Sequence, residues 1–463
     1  MKPKIFLFGS ATESQNRKRD MVDEEITQPS IGLLYLDSIL KKHGYEVLTR
    51  DYTYWTEEHF LEELKKNLVK FEPDVVGISI NSMTRISAYK AIKAIKEWKN
   101  DTKIILGGIH ASVMYEQLLN NFPIDIISIG EAEETFIEIL DAISNKKSIK
   151  KIKGIAYKDK DKVIKNPDRE LLKDLDSLPF PSYETFMNPK IKSVYILSSR
   201  GCPNNCSFCC LAVISKQRWR FRTTKNVVDE IEFIVKNYPW VESIEFADDT
   251  STLDNKRMIE ISKELINRGI KRKFVCQGRI KPISREMFYW MEKAGFVKMI
   301  FGIETGAKKL LESIHKGITK EDCINTFNIL KEFKNIEVVK NLIVGFPGET
   351  EETVNETIEF TKELQRIIKM DYFYAFPLWV YPGTEVYQIG KSRGWIDDSY
   401  WLTNKPCPNF TLEHPMEWLI KMSNKIAIET TMAEGKIFFI KKIAGKIITH
   451  PKYYIRRVLK LSK

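Results

Sequence analysis

The chain has 463 residues, 43% hydrophobic and 29% charged, and no run approaches the roughly 18 apolar residues of a membrane span, so it reads as a globular chain with room for two or three cores. Its formal charge is +11, but removing the nine Lys and Arg of residues 436–463, a stretch without a single acid, leaves +2. A nearly neutral body excludes nucleic-acid binding by the whole surface, and seven cysteines with four clustered exclude a disulfide framework and indicate a reducing, cytoplasmic compartment.

In chain order, the N-terminus has only a short apolar run at residues 5–8, too brief for a signal peptide and better read as a first strand. Further runs at 75–80, 104–106 and 124–129 are bracketed by Gly, Pro or Asp, as buried parallel strands are. Helical patterns at 31–42, 57–70, 88–99 and 133–143 alternate with them, which predicts a doubly wound parallel α/β sheet. Ligands of such sheets lie beyond the strands' carboxyl ends. That edge carries Ser79-Ile80-Asn81-Ser82, Gly107-Gly108-Ile109-His110 and Gly130-Glu131-Ala132-Glu133.

A hairpin follows near residues 154–162, then a Pro-rich stretch from Leu178 to Pro189 that marks a boundary. A second series of strands is expected at 194–198, 243–246, 273–276, 298–302, 338–344 and 372–377. Helices fall between them, as at 227–236, 254–268, 285–293 and 351–366. Six such units predict a partial (β/α)6 barrel with its chemistry at the strand carboxyl ends. The expected division is residues 1–148, a hairpin and linker at 149–190, the barrel at 191–385, and a mainly helical C-terminal region at 386–463.

The first barrel strand runs into Ser199-Arg200-Gly201-Cys202-Pro203-Asn204-Asn205-Cys206-Ser207-Phe208-Cys209. Three soft ligands spaced C-x3-C-x2-C suit an iron–sulfur cluster with one iron left open. A zinc knuckle prefers C-x2-C pairs and a fourth Cys or His, and no His stands nearby. Cys210, adjacent to the last of the three, reads as a bystander; Cys276 and Cys323 read as core, and Cys407 as a remote candidate for the substrate region.

With Ala247-Asp248-Asp249-Thr250, Phe301-Gly302-Ile303-Glu304-Thr305-Gly306, Gly345-Phe346-Pro347-Gly348-Glu349-Thr350 and Tyr381-Pro382-Gly383-Thr384 occurring in order, the chain resembles the cobalamin-binding-domain radical S-adenosylmethionine enzymes from residue 1 to about 390. The resemblance implies that Cys202, Cys206 and Cys209 hold a [4Fe–4S] cluster and that S-adenosylmethionine chelates its open iron. It implies Phe208 against adenine, Asp248 and Asp249 receiving the methionine ammonium, Glu304 touching the cofactor and Gly345 shaping the backbone beside it. Reductive cleavage would give a 5′-deoxyadenosyl radical, able to abstract hydrogen from an unactivated carbon. For the first domain it implies cobalamin, with Ser79, Ser82, Gly107 and Gly108 as contacts and His110 either at the corrin or a satisfied loop residue. No Asp-x-His-x-x-Gly follows the first strand, so no histidine is offered as a lower cobalt ligand.

The implied activity is cobalamin-dependent methylation of an unactivated carbon. Radical ring formation or carbon rearrangement stands as an alternative, and a cobalamin-binding or sensory protein as the non-enzymatic one. Implied partners are an external electron donor such as a flavodoxin or ferredoxin and a small-molecule or lipid-like substrate, without nucleic acid. The basic, apolar pattern of residues 436–449 either packs on the body or touches an anionic membrane.

Overall fold

The computed structural model describes residues 2–12, 28–368 and 372–432. The basic segment 436–449 lies outside the described residues. Two sheets organise the chain. The first is seven-stranded: β1 (Ile5–Gly9), β2 (Val47–Asp51), β3 (Val75–Ser79), β4 (Lys103–Gly107), β5 (Ile126–Ser128), β6 (Ile155–Asp159) and β7 (Lys162–Lys165), in the order β2-β1-β3-β4-β5-β6-β7. The first five strands pair in parallel and β6 and β7 join antiparallel. The hairpin expected near 154–162 is therefore the far edge of this sheet.

The alternation of side chains along β1 explains why both faces need cover. Ile5 and Leu7 enter one hydrophobic cluster and Phe6 and Phe8 the other, so helices must pack on both sides. The edge strand β2 is absent from the sequence reading for a physical reason. Only Thr49 of its five residues is buried, so it carries no apolar run.

The second sheet, β15-β14-β13-β12-β11-β8, is parallel throughout. Its strands are β8 (Ser193–Ile196), β11 (Ser243–Phe246), β12 (Lys273–Gly278), β13 (Phe296–Glu304), β14 (Glu337–Val344) and β15 (Tyr372–Pro377), with helices between, as a partial barrel requires. Between β8 and β11 lies a small antiparallel pair, β9 (Ser199–Arg200) and β10 (Arg220–Phe221). Local side chains set the helix starts: Thr223, Asp254, Ser284, Thr319 and Thr350 each accept a hydrogen bond from a backbone N–H of the first turn.

The two sheets are not independent bodies. One hydrophobic cluster unites Phe6, Phe8, Ile78 and Leu106 of the first sheet with Phe346, Leu378, Val380, Tyr387 and Trp401. The fully buried Arg85 donates to the carbonyls of Trp401, Thr403 and Lys405, which fastens the segment after β15 onto the first domain.

Candidate active site

The cysteine loop leaves β9 and returns to β10, and carboxylates from the end of β11 fix its start. Asp248, 2% exposed, accepts from Ser198 N (2.6 Å), Ser198 Oγ (2.5 Å) and Ser199 Oγ (2.7 Å). Asp249 accepts from Gly201 N at 2.8 Å. Gly201 has φ +87°, and a Cβ there would sit 2.1 Å from the Arg218 carbonyl, so this turn admits glycine alone. Farther along, Ser207 N donates to Ile314 O and Cys209 N to Cys206 O.

Cys202, Cys206 and Cys209 are free thiols and half-buried. Burial raises the Cys206 thiol above its ordinary range and pushes Cys209 up to about 12. Partly dehydrated thiols that favour their protons become ligands when a cation takes the proton's place. Three soft sulfur donors spaced C-x3-C-x2-C, with no histidine among them, are a donor set that fits an iron–sulfur cluster.

Beside the loop stands a buried ion pair. Lys316 Nζ donates to Glu304 Oε1 at 2.6 Å, with side chains 13% and 9% exposed. Burial works against the ammonium, but Glu304 and Cys206 outweigh it and hold its pKa above the usual lysine range. Glu304 has φ +70°, an uncommon conformation for a residue with a Cβ, and Gly302 leaves space for its carboxylate to fold back. Phe208 meets Phe346 with ring centroids 5.5 Å apart, and Lys316 lies 6.0 Å over the Phe208 ring. Gly345, φ +98°, belongs to a loop tied by Glu349, whose buried carboxylate accepts from Gly345 N and Phe346 N. Burial pushes Glu349 up to about 7, against the pull of these two N–H groups.

At the first sheet, Ser79, Gly107 and Gly108 sit half-buried on the carboxyl edge. A Cβ at Gly107 or Gly130 would meet nothing within 4 Å, so this rim is open. Gly108 differs: with φ +92° its added Cβ would strike Ile80 O at 2.4 Å. An open rim of glycines fits a large flat ligand approached by backbone. His110 is buried, with Nδ1 3.0 Å from Ser82 Oγ and Nε2 3.3 Å from Tyr89 Oη. Burial and then the Arg85 charge push it down to about 3, so it is a neutral, satisfied residue, and it sits in the short helix Ile109–Val113 rather than in a loop. Ser82, 4% exposed, turns its hydroxyl toward His110. Ser112 and Gly130 of this edge share a cleft of about 120 Å³ with Val213 and Ile214 of the short helix after Cys210, so the two candidate cofactor edges adjoin.

Sequence comparison bears on both halves. The Radical SAM superfamily matches residues 196–361 and the B12 binding domain residues 25–140. An uncharacterized methyltransferase of Pyrococcus horikoshii is 32% identical over 385 residues, covering 81% of each chain. The chain belongs to the cobalamin-binding radical S-adenosylmethionine enzymes. An anaerobic magnesium-protoporphyrin IX monomethyl ester cyclase of Rubrivivax gelatinosus is 30% identical, over 72% of this chain and 62% of the cyclase. In fold the chain is similar to the radical S-adenosylmethionine methyltransferase TsrM of Kitasatospora setae, solved with cobalamin and a [4Fe–4S] cluster (TM-score 0.69, 18% identity, 84% of this chain and 76% of that one).

As a member of this family the enzyme uses a [4Fe–4S] cluster, S-adenosylmethionine and cobalamin. It takes electrons from an external donor and acts on a small-molecule substrate. Among the described residues no helix is long and apolar enough to cross a membrane. Several residues of the site escape sequence reasoning. Lys316 lies in a turn with no motif around it. Arg200 stands inside the cysteine motif, yet its partners Glu131 and Glu133 are far away in sequence and only folding unites them.

Proposed function

We propose that this enzyme methylates an unactivated carbon. The observation that carries the reading is the shared cleft of Ser112, Gly130, Val213 and Ile214, which sets the open rim of the first sheet against the cysteine loop. The cofactors would supply a methyl group and a carbon-centred radical from adjoining edges; the protein's part is placement and exclusion of water.

Cys202, Cys206 and Cys209 are the cluster ligands in this reading. Asp249, with one N–H partner on Oδ2, is better placed than the three-bonded Asp248 to receive an ammonium group. Asp248 instead holds the loop. Phe208 and Gly345 flank the adenine position, and Glu304 reaches the cofactor with Lys316 balancing its charge. On the first sheet Ser79, Gly107 and Gly108 line the corrinoid position, with Gly130 beside them, while Ser82 supports His110. Tyr381, on the segment after β15, has its ionisation opposed first by burial and then by Cys407 and Cys210. With the exposed Trp379 it supports an apolar or ring-bearing substrate, lipid-like compounds included.

The donor in this reading is a flavodoxin or ferredoxin of a reducing cytoplasm. Methyl transfer is supported by the Pyrococcus relative and by the cytidylyl-2-hydroxyethylphosphonate methyltransferase of Streptomyces wedmorensis, 24% identical over 79% of this chain. The cyclase relative favours a second reading, ring formation on the same scaffold. The test is anaerobic protein reconstituted with iron, sulfide and hydroxocobalamin, then given S-adenosylmethionine and a strong reductant. Both 5′-deoxyadenosine and S-adenosylhomocysteine with retained corrinoid support methylation. Deoxyadenosine alone, with no corrinoid retained, sinks it and promotes ring formation or rearrangement.

A further inference from the structure

In the β9–β10 pair Arg200 stands directly opposite Arg220. Like charges at facing positions destabilise a strand pair, and here both side chains are nearly buried, 14% and 12% exposed. The compensation comes from the first domain. Glu133 Oε1 accepts from Arg200 Nη1 at 2.5 Å. Glu131 takes Arg220 in a two-pronged pair, at 2.6 and 2.9 Å, and lies 3.7 Å from Arg200 Nη1. Glu131 also accepts from Leu172 N, and Arg220 donates to Leu172 O. The Arg200 guanidinium lies 5.0 Å over Tyr35, in the first domain's helix Ile31–Lys42.

This network closes the stem of an excursion, residues 201–219, that contains every cluster cysteine, Phe208 and the helix Leu211–Ser215. On its other side, Glu131 directly follows Gly130, the open glycine of the first sheet's rim. One stretch of four residues thus touches the corrinoid position and grips the cluster loop. Removing one partner from a buried charge network leaves the others uncompensated, so the grip and the rim cannot shift independently.

We propose that Glu131 and Glu133 are positioning residues that couple corrinoid binding at the first domain to the geometry of the cluster loop, so that each cofactor's affinity depends on the other. The proposal rests on the two-cofactor reading of the family. Coupling is reciprocal, which makes it measurable from one side.

The experiment is titration of anaerobic protein with hydroxocobalamin, followed by visible absorbance, before and after reconstitution of the cluster, with iron content determined in parallel. Wild type is expected to bind about 5- to 150-fold more tightly when the cluster is in place, the usual span of linked sites. Glu131→Gln and Glu133→Gln should bring that ratio below about twofold, by loss of a coupling of this size. Arg220→Gln should do the same and add little in combination with Glu131→Gln. Asp229→Asn, which breaks the more exposed pair with Arg268, keeps the wild-type ratio. A merely structural role would weaken binding in both forms and leave the ratio alone. If a glutamine variant does not accumulate folded, Arg200→Lys keeps the charge, loses the planar fork, and should give an intermediate ratio. A ratio of one in wild type that binds corrinoid tightly in both forms overturns the coupling only. A wild-type ratio in both glutamine variants does the same. No corrinoid binding in either form overturns the two-cofactor reading and the coupling with it.

Discussion

The carboxyl edges of the two sheets solve opposite problems. The first has a bare rim: Gly107 and Gly130 face open space, Ser79 is half-buried, its one histidine is consumed by Ser82 and Tyr89, and its charges, Glu131 and Glu133, are taken up by Arg200 and Arg220. The second is crowded with charge, and three of its carboxylates already hold something: Asp248 the two serines, Asp249 the turn glycine, Glu304 a buried lysine. A bare rim recognises a large preformed ligand by shape and backbone. A crowded one supplies fixed charges around a group assembled in place.

Substitutions can break that contrast. The largest effect belongs to Cys202, Cys206 and Cys209: alanine at any one should remove the cluster's iron and reduce 5′-deoxyadenosine formation to background, with corrinoid retained in weakened form. Iron analysis alongside product assay checks this. Next, Asp248→Ala strands Ser198 N and both hydroxyls in a buried place beside Arg257, and should destabilise the fold by about 3–5 kcal/mol in urea unfolding, as breaking a buried charged network does. Gly108→Ala should cost about 3 kcal/mol, because its backbone (φ +92°, ψ 174°) is reserved to glycine and its Cβ meets Ile80 O.

Glu349 gives a pH signature. Its folded pKa, about 7, is raised above 4.5 by burial, so its contribution to stability is fully present below pH 4.5 and is lost as pH rises through 7. The shift corresponds to a loss on the order of 3 kcal/mol across that window, and Glu349→Gln should flatten the stability–pH curve there. The smallest effect sharpens the comparison most. Gly107→Ala should leave unfolding within about 0.5 kcal/mol of wild type, as an uncrowded surface change does, yet reduce corrinoid retention. Equal corrinoid retention by Gly107→Ala and wild type would show that the bare rim is not the binding surface.

Much of the architecture is legible in the sequence because it rests on short-range signals. Buried stretches such as 75–78 and 104–106 are apolar runs, and the barrel helices announce themselves by Ser, Thr or Asp at their starts. β2 is hidden because an edge strand needs no apolar run. The cysteine loop is legible for its spacing. Division of labour within Asp248-Asp249 is not, since it depends on which carboxylate reaches Ser198 and which Gly201. The same holds for His110, whose neutrality follows from burial against Arg85 and partners at positions 82 and 89.

Arg85 carries a last consequence, for modularity. Its guanidinium donates to the carbonyls of Trp401, Thr403 and Lys405 as well as to Ser82 of its own domain, and Trp401 itself packs against His110. A chimera that exchanged the first domain between relatives, or a truncation ending after β15, would expose a buried arginine and an apolar wall at once. The portable unit is therefore discontinuous: the first sheet travels with the segment that follows the last barrel strand, and the barrel between them is the insert.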